Sequence, residues 1–155
     1  MLTHQADLQR SSTKHPSSRL DCYGPWAVVT GASDGIGRAI ATKLAAEGFS
    51  LALVARRKGI LSEFAEDLNA QYGTESRVID VDLGSNAGIR SVEARTKDLD
   101  VGLLVAAAGF GTSGPFVEGD LDAELDMIAV NCEAIAALAH VFARRLVKRG
   151  RGGRR

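Results

Sequence analysis

Three glycines with the spacing of an anion-binding turn are the first candidates for chemistry in this sequence. Gly31, Gly35 and Gly37 follow the apolar run 26–29 and precede a helical pattern that starts near Ile36. Backbone N–H groups in such a turn point outward, and the dipole of the following helix favours negative charge. Gly31 would permit the tight turn, Gly35 would let a pyrophosphate approach the backbone, and Gly37 would let the helix pack closely on the strand. The turn therefore predicts a site for the pyrophosphate of a dinucleotide.

A pair of arginines follows the second apolar run of the chain. Arg56 and Arg57 come directly after residues 50–55. An acidic residue at this place binds the ribose hydroxyls of NAD, whereas an arginine accommodates the extra phosphate of NADP. Because guanidinium groups match phosphate well, the pair favours NADP(H) over NAD(H). Asp34 in the turn opposes this preference, since its carboxylate would repel the same phosphate.

Two further polar residues are candidates for a binding role. Asp82 follows the third apolar run and could accept a hydrogen bond from an adenine amino group, although an Asp after a strand is more often a turn or cap residue. Asn131 lies among apolar residues of a helical pattern, where a buried amide needs hydrogen-bond partners. The three histidines, His4, His15 and His140, have no metal-ligand spacing, so the sequence predicts no metal site.

The stretch 31–35 also fits a second kind of site. Gly-Ala-Ser-Asp-Gly matches the G-x-S-x-G pattern of the nucleophile elbow of α/β-hydrolases, in which a strand precedes the serine and a helix follows it. Ser33 would be the nucleophile. The acid and base candidates follow it in the chain order of these hydrolases: Asp80 or Asp82, then His140. This alternative is disfavoured because the hydrolase elbow follows several strands, whereas this turn follows the first, and because it leaves Gly37 and the arginine pair unexplained.

Strand and helix patterns alternate along the chain and position these residues. Strands are predicted at 26–29, 50–55, 77–81 and 101–106, and helices at 35–48, 58–72, 85–99 and 121–148. This alternation indicates right-handed β-α-β crossovers and a parallel sheet covered on both faces. The predicted fold class is α/β: a Rossmann-type doubly wound parallel sheet, truncated to about four strands in the order 3-2-1-4. Residues 1–22 are expected to form a flexible N-terminal arm, 23–149 an incomplete NAD(P)-binding domain, and 150–155 a basic tail.

The composition is that of an ordinary globular protein. The 155 residues include 19 basic and 19 acidic side chains, and this balance points to no nucleic-acid partner. The basic tail has no interleaved aromatic residues, which also argues against nucleic-acid binding. Two cysteines, Cys22 and Cys132, do not make a disulfide framework, so a cytoplasmic location is expected. The N-terminus lacks the apolar core of a secretory signal, and no stretch is expected to reach the length of a membrane span.

These motifs resemble the short-chain dehydrogenase/reductase family, and the resemblance extends from about Tyr23 to Gly153. The stretch 30–37, Thr-Gly-Ala-Ser-Asp-Gly-Ile-Gly, is similar to the T-G-x-x-x-G-I-G cofactor turn of that family, and 54–57, Val-Ala-Arg-Arg, is similar to its NADP-type strand end. Asp82 resembles the family's adenine-contacting Asp, and Asn131 resembles the Asn that helps to organise its proton relay. The resemblance gives Asn131 an accessory catalytic role and implies these cofactor contacts: Gly31, Ser33, Asp34, Gly35, Ile36, Gly37, Arg56, Arg57, Asp82, Leu83, Ala108 and Gly109.

Two features depart from the family pattern. The family has N-A-G after the fourth strand, whereas residues 107–109 are Ala-Ala-Gly, so the sheet is expected to be looser beside the turn. The family also uses a Ser and a Tyr-x-x-x-Lys, in which the Tyr is the acid/base of hydride transfer. The two tyrosines of this chain, Tyr23 and Tyr72, are followed four residues later by Ala27 and Ser76.

The resemblance therefore implies the cofactor-binding half of an NADP(H)-dependent oxidoreductase. An intact relative would transfer hydride between NADPH and a carbonyl or alcohol. The loop 110–118 would line the nicotinamide end, the fourth helix could pair two copies of the chain, and no membrane partner is expected. Two alternatives remain open, a catalytically inactive truncated product and a nucleotide-binding module.

Overall fold

Four parallel strands form the sheet of this protein, whose computed structural model describes residues 19–150. The strands are β1 (Trp26–Thr30), β2 (Ser50–Ala55), β3 (Ser76–Asp80) and β4 (Val101–Ala106), and their order is β3-β2-β1-β4. All three neighbouring pairs are parallel. The predicted α/β class and the 3-2-1-4 order are therefore confirmed.

The helices follow the strands in the predicted alternation. Their bounds are α1 (Arg19–Tyr23), α2 (Gly35–Ala46), α3 (Lys58–Tyr72), α4 (Asn86–Arg95), α5 (Leu121–Ile128) and α6 (Ala134–Arg149), with a 3-10 turn at Phe116–Glu118. Side chains cap several of their first turns: Ser85 Oγ accepts from the N–H of Gly88 at the start of α4. Gly73 ends α3 with a left-handed φ of 69°, a conformation that glycine adopts at little cost.

Helices cover both faces of the sheet, because alternate residues of each strand point to opposite sides. On one face, Ala27 and Val29 of β1 pack in a core with α2 and α3. On the other face, Val28 of β1 packs in a second core with α4 and α6, to which Leu138 and Phe142 belong. Both faces of the central strands are thus buried, as a doubly wound sheet requires.

Three details differ from the sequence expectations. The predicted arm, 1–22, overlaps α1, and Leu20 of this helix packs against the first core. Folded structure therefore includes residues 19–22, whereas residues 1–18 and the tail beyond Gly150 lie outside the described part of the chain. The predicted fourth helix is not uniform, because a π-helical segment, Ala129–Glu133, separates α5 from α6.

The third difference concerns the same long helix. Leu121–Arg149 is continuous over 29 residues, and its most apolar stretch has a mean hydropathy of 1.5. By length and composition it could cross a membrane, so the expectation that no stretch reaches this length is wrong. One face of α6 packs on the sheet through Ala134, Leu138 and Phe142, while 17% of the apolar stretch as a whole is buried.

Candidate cofactor site

A cavity of about 450 Å³ lies at the carboxyl ends of the strands, where a doubly wound sheet binds its ligands. Its walls come from the turns after β1, β2, β3 and β4 and from Val130 of the π-helical segment. Eleven of the twelve residues predicted as cofactor contacts line it: Gly31, Ser33, Asp34, Gly35, Ile36, Arg56, Arg57, Asp82, Leu83, Ala108 and Gly109. The fold thus brings residues from four separate turns to one cavity.

The glycine turn shapes the floor of this cavity. Gly31 and Gly35 have φ of 66° and 53°, values that L side chains rarely adopt. A Cβ on Gly31 would lie 2.7 Å from the carbonyl oxygen of Ala107, whereas a Cβ on Gly35 would meet open space. Asp34 caps α2, because its carboxylate accepts from the N–H of Gly35 at 2.7 Å.

Gly37, the twelfth predicted contact, lies beneath the turn and does not line the cavity. It is buried, and a Cβ there would lie 2.4 Å from the carbonyl oxygen of Gly31 and 2.9 Å from that of Thr30. Its position is therefore one of close packing between α2 and β1, which is the role that the sequence pattern gave to this glycine.

The two arginines after β2 have different surroundings. Arg57 donates to Ser33 Oγ at 3.2 Å and lies 3.8 Å from the carboxylate of Asp34. Among the described residues, Arg56 has neither a hydrogen-bond partner nor an ion-pair partner and is exposed. Asp34 therefore tethers Arg57 to the turn in addition to placing negative charge near it, and the uncompensated positive charge at this end of the cavity belongs to Arg56.

Asp82 combines the turn role with a place in the cavity wall. Its carboxylate accepts from the N–H of Gly84 at 3.0 Å, and its backbone carbonyl accepts from Ser85 Oγ at 3.0 Å. These bonds fix the turn after β3. The same side chain lines the cavity next to the buried Leu83, so an adenine-contacting role and a turn role are compatible.

Thr30, the last residue of β1, holds the chain after β4. Its hydroxyl oxygen accepts from the N–H groups of Ala107 and Ala108, both at 3.0 Å, and the side chain is buried. Pairing between β1 and β4 continues to the Thr30–Ala106 pair. The expected loosening of the sheet beside the turn is therefore not seen. This role of Thr30 was not predicted, although a Thr at the end of an apolar strand, directly before the turn glycine, is a signal for it.

Asn131 lies in the π-helical segment and fixes the loop that follows the cavity wall. Its Oδ1 accepts from the N–H of Phe110 at 3.1 Å, and its Nδ2 donates to the carbonyl of Phe110 at 2.8 Å. Single π-helical turns inside α-helices often occur at functional sites. Asn131 does not line the cavity, but it positions Phe110, which lines it. Val130, the neighbour of Asn131 in the chain, also lines the cavity. Phe110 belongs to the loop 110–118 that the resemblance placed at the nicotinamide end, whereas Val130 was not predicted as a cofactor contact.

The residues of the hydrolase alternative are engaged elsewhere. Ser33 Oγ accepts from Arg57, and the carboxylate of Asp80 accepts from Arg95 at 3.1 Å, which lowers the pKa of Asp80. Within residues 19–150, neither is hydrogen-bonded to His140, which is exposed on α6. In the same part of the chain, no group of three or more metal-ligating side chains is found. Tyr23 and Tyr72 do not line the cavity.

The residues of the cavity fit a dinucleotide. The turn leaves open space where a side chain at Gly35 would stand, and a helix begins directly behind it. The exposed Arg56 offers positive charge next to that turn, and the cavity volume lies within the range of small-molecule sites. Sheet order, glycine turn and cavity together define a dinucleotide-binding protein with a Rossmann-type fold.

Comparison with known sequences then gives the family. Residues 25–154 match the sequence model of the short chain dehydrogenase family. The chain belongs to this family, which also overturns the hydrolase alternative.

Relatives match this chain over part of their own length. A very-long-chain 3-oxoacyl-CoA reductase of Anas platyrhynchos is 37% identical over 83% of this chain and 43% of that protein. An inactive hydroxysteroid dehydrogenase-like protein 1 of Homo sapiens is 37% identical over 84% of this chain and 40% of that protein. A short-chain dehydrogenase from Sphingobium yanoikuyae, solved in complex with NADPH, superposes on this chain with a TM-score of 0.79 at 35% identity. The match covers 83% of this chain and 51% of that enzyme's chain. The chain thus spans about half the length of these relatives or less.

Proposed function

We propose that this chain is the cofactor-binding part of an NADP(H)-dependent short-chain oxidoreductase. The observation that carries the proposal is Arg56, an exposed arginine at the end of β2 with no partner in the described residues. NAD-preferring sites have an acidic residue near this strand end, and this chain has two arginines. The NADPH complex of the related Sphingobium yanoikuyae enzyme supports the same preference.

Each part of the cavity has a role in this proposal. The backbone of the turn 31–37 binds the pyrophosphate at the N-terminus of α2. Arg56 binds the 2′-phosphate. Arg57, held by Ser33 and Asp34, forms the cavity wall beside it. Asp82 accepts from the adenine amino group. When bound, the cofactor would supply the hydride that reduces a carbonyl, or would accept the hydride that an alcohol loses on oxidation.

Binding without turnover is the expected behaviour of the residues of this chain. A general acid must reach the reacting oxygen, and neither Tyr23 nor Tyr72 lines the cavity. Asn131 contributes by positioning Phe110 and has no direct place in the cavity wall. An inactive nucleotide-binding module is therefore the second candidate, and the relative named as an inactive dehydrogenase-like protein supports it. The two candidates differ in whether the cofactor bound by this chain serves an oxidoreductase reaction.

The test compares protection by two cofactors that differ by one phosphate. NADPH at 100 times its dissociation constant should stabilise the chain by about 2.7 kcal/mol, and NADH at the same concentration should stabilise it less. Arg56→Ala should erase the difference between the two cofactors. Lys43→Ala, which removes an exposed cation at the far end of α2, should leave the difference intact. Equal protection of the unmodified chain by NADPH and NADH would refute the NADP(H) preference.

A contact between two copies of the chain through the long helix is part of the proposal. Apolar side chains are exposed along it, with fractions of 66% at Leu121, 53% at Leu125, 46% at Ile128 and 37% at Ile135. Several large apolar side chains exposed along one helix favour an interaction site there. Light scattering should give twice the mass of one chain, and Leu125→Glu should give a monomer. A monomer before substitution would exclude this contact.

We further propose a cytoplasmic location without a membrane partner. Cys22 and Cys132 are both free, as reduced thiols would be in that compartment. Cell fractionation tests this, and recovery of the chain with the membrane fraction would overturn it.

A further inference from the structure

A second cavity, of about 800 Å³, lies at the opposite end of the sheet from the cofactor site. It is a groove between α4 and α6 that reaches the first residue of β4, Val101. The cofactor site lies at the carboxyl ends of the strands, so the two cavities share no residue. Nothing in the proposed oxidoreductase function uses this groove.

The groove has an excess of positive charge. Its cationic residues are Arg90, Lys97, Arg145, Lys148 and Arg149, and its carboxylates are Glu93 and Asp100. The excess is three charges, of which the C-termini of α4 and α6 offset about one, since each helix end carries about half a negative charge. About two positive charges remain, which is the charge that a phosphate dianion would balance.

The cations of the groove differ in how they are already engaged. Arg149 is bonded to Asp100 and to the carbonyl of Gly24. Within residues 19–150, the side chains of Arg90, Lys97 and Lys148 make no hydrogen bond or ion pair. Three cations therefore surround the groove without a partner and are available to a ligand.

Arg145 is partly buried between the two helices and has no carboxylate partner in the described part of the chain. It donates to Thr96 Oγ at 2.9 Å and to the carbonyls of Thr96 and Leu99 at 2.6 and 3.2 Å, and it lies over the ring of Phe142. Burial lowers the pKa of Arg145, because water no longer solvates its charge fully. The guanidinium is thus held at the wall of the groove by neutral acceptors, while the carboxylates of Glu93 and Asp98 act on its charge at longer range, so an anion in the groove would be a direct charge partner.

The remaining lining is apolar, with Ala94, Leu99 and Val101 below the cations. The volume falls within the range of about 300–1,000 Å³ that small-molecule sites occupy. We propose that this groove binds a phosphate-bearing small molecule, with the phosphate between Lys97, Lys148 and Arg145 and the apolar part against Leu99. The phosphate belongs either to a soluble organic phosphate or to a lipid headgroup.

The test uses the full chain and inorganic pyrophosphate, in 150 mM salt so that charges more than about 8 Å apart are screened. Two-dimensional ¹⁵N–¹H spectra should show saturable shifts at amides 94–101 and 145–150. Lys97→Glu with Lys148→Glu should weaken this binding about tenfold or more, because hydrogen bonds to charged groups are lost. Lys97→Arg with Lys148→Arg should retain it.

A matched control separates local contact from overall charge. Lys43→Glu with Arg144→Glu makes the same change in net charge at exposed positions that do not line the groove, and it should leave binding unchanged. Equal weakening by both pairs, shifts confined to the turn 31–37, or no shift at all would each overturn the proposal. Co-sedimentation with phosphatidic acid vesicles then distinguishes the two sources: sedimentation that pyrophosphate competes away assigns a lipid headgroup, and its absence assigns a soluble phosphate.

Discussion

Gly37→Ala should break the junction between β1 and α2 on which the cofactor site rests. The added Cβ would lie 2.4 Å from the carbonyl oxygen of Gly31. Ordinary carbon–oxygen contacts begin at about 3.3 Å, so the start of α2 would have to move by about 0.9 Å. All three atoms nearest to this Cβ are backbone atoms of residues 30 and 31, so no flexible side chain can move aside.

The expected loss of stability follows from two opposing effects of this substitution. Overpacking costs up to about 3 kcal/mol, and replacing Gly by Ala inside a helix returns about 1 kcal/mol. The net loss is then about 2 kcal/mol, which corresponds to about 4–8 °C in Tm for a chain of this size. NADPH should also protect the variant less than the unmodified chain, because the displaced turn no longer presents its N–H groups to the pyrophosphate.

Thermal unfolding with and without NADPH measures both effects, and Gly59→Ala is the matched control. Gly59 is also helical, but a Cβ there would meet nothing within 4 Å. Gly59→Ala should therefore be neutral or slightly stabilising, by up to about 1 kcal/mol. If the two variants unfold at the same temperature and bind NADPH equally, the close packing at Gly37 does not support the site.

Three other predictions test contacts around the cavity and the sheet. Thr30→Val should lower the free energy of unfolding by about 1–3 kcal/mol, because two backbone N–H groups lose their acceptor, while Thr30→Ser should be close to unmodified in urea titrations. Asn131→Ala should release the loop at Phe110 and speed limited proteolysis between residues 110 and 120; unchanged cleavage would contradict the positioning role. The hydrogen bond from Arg77 lowers the pKa of Asp98, so this pair stabilises the fold above the unfolded-state pKa of about 3.9 and loses its contribution as the pH falls below it. Asp98→Asn should flatten that acid dependence in unfolding measurements, and an unchanged pH profile would refute it.

The fold was largely predictable because hydrophobic patterns encode it directly. The bounds of β2, α3 and β4 agree with the structure, since each begins and ends at a clear change of pattern. The sheet order follows from the alternation of strands and helices together with the position of the glycine turn. The residues that line the cavity were predictable for the same reason, because turns after parallel strands meet at one edge of the sheet.

The features that could not be predicted from the sequence are mainly contacts between distant parts of the chain, which no local pattern connects. The bonds from the N–H groups of residues 107 and 108 to Thr30 join positions 77 and 78 residues apart. Their geometry depends on the assembled sheet, so the missing Asn side chain at position 107 gave the wrong expectation of looseness. The helix α1 was assigned to the arm because its one turn is too short to show a period.

The π-helical segment allows one continuous helix to point a polar side chain at a loop and an apolar side chain into the core. An α-helix turns by about 100° per residue, so its apolar stripe and its polar residues keep a fixed angular relation along its length. The wider turn at Ala129–Glu133 contains one more residue than an α-turn and shifts this angular phase. Asn131 can thereby point to the loop while Leu138, one and a half turns after the segment, points into the core beneath the sheet. Because the extra residue is accommodated within one wider turn, deleting it would leave α5 and α6 in about the same relative orientation and would remove only the widening of the helix at Asn131.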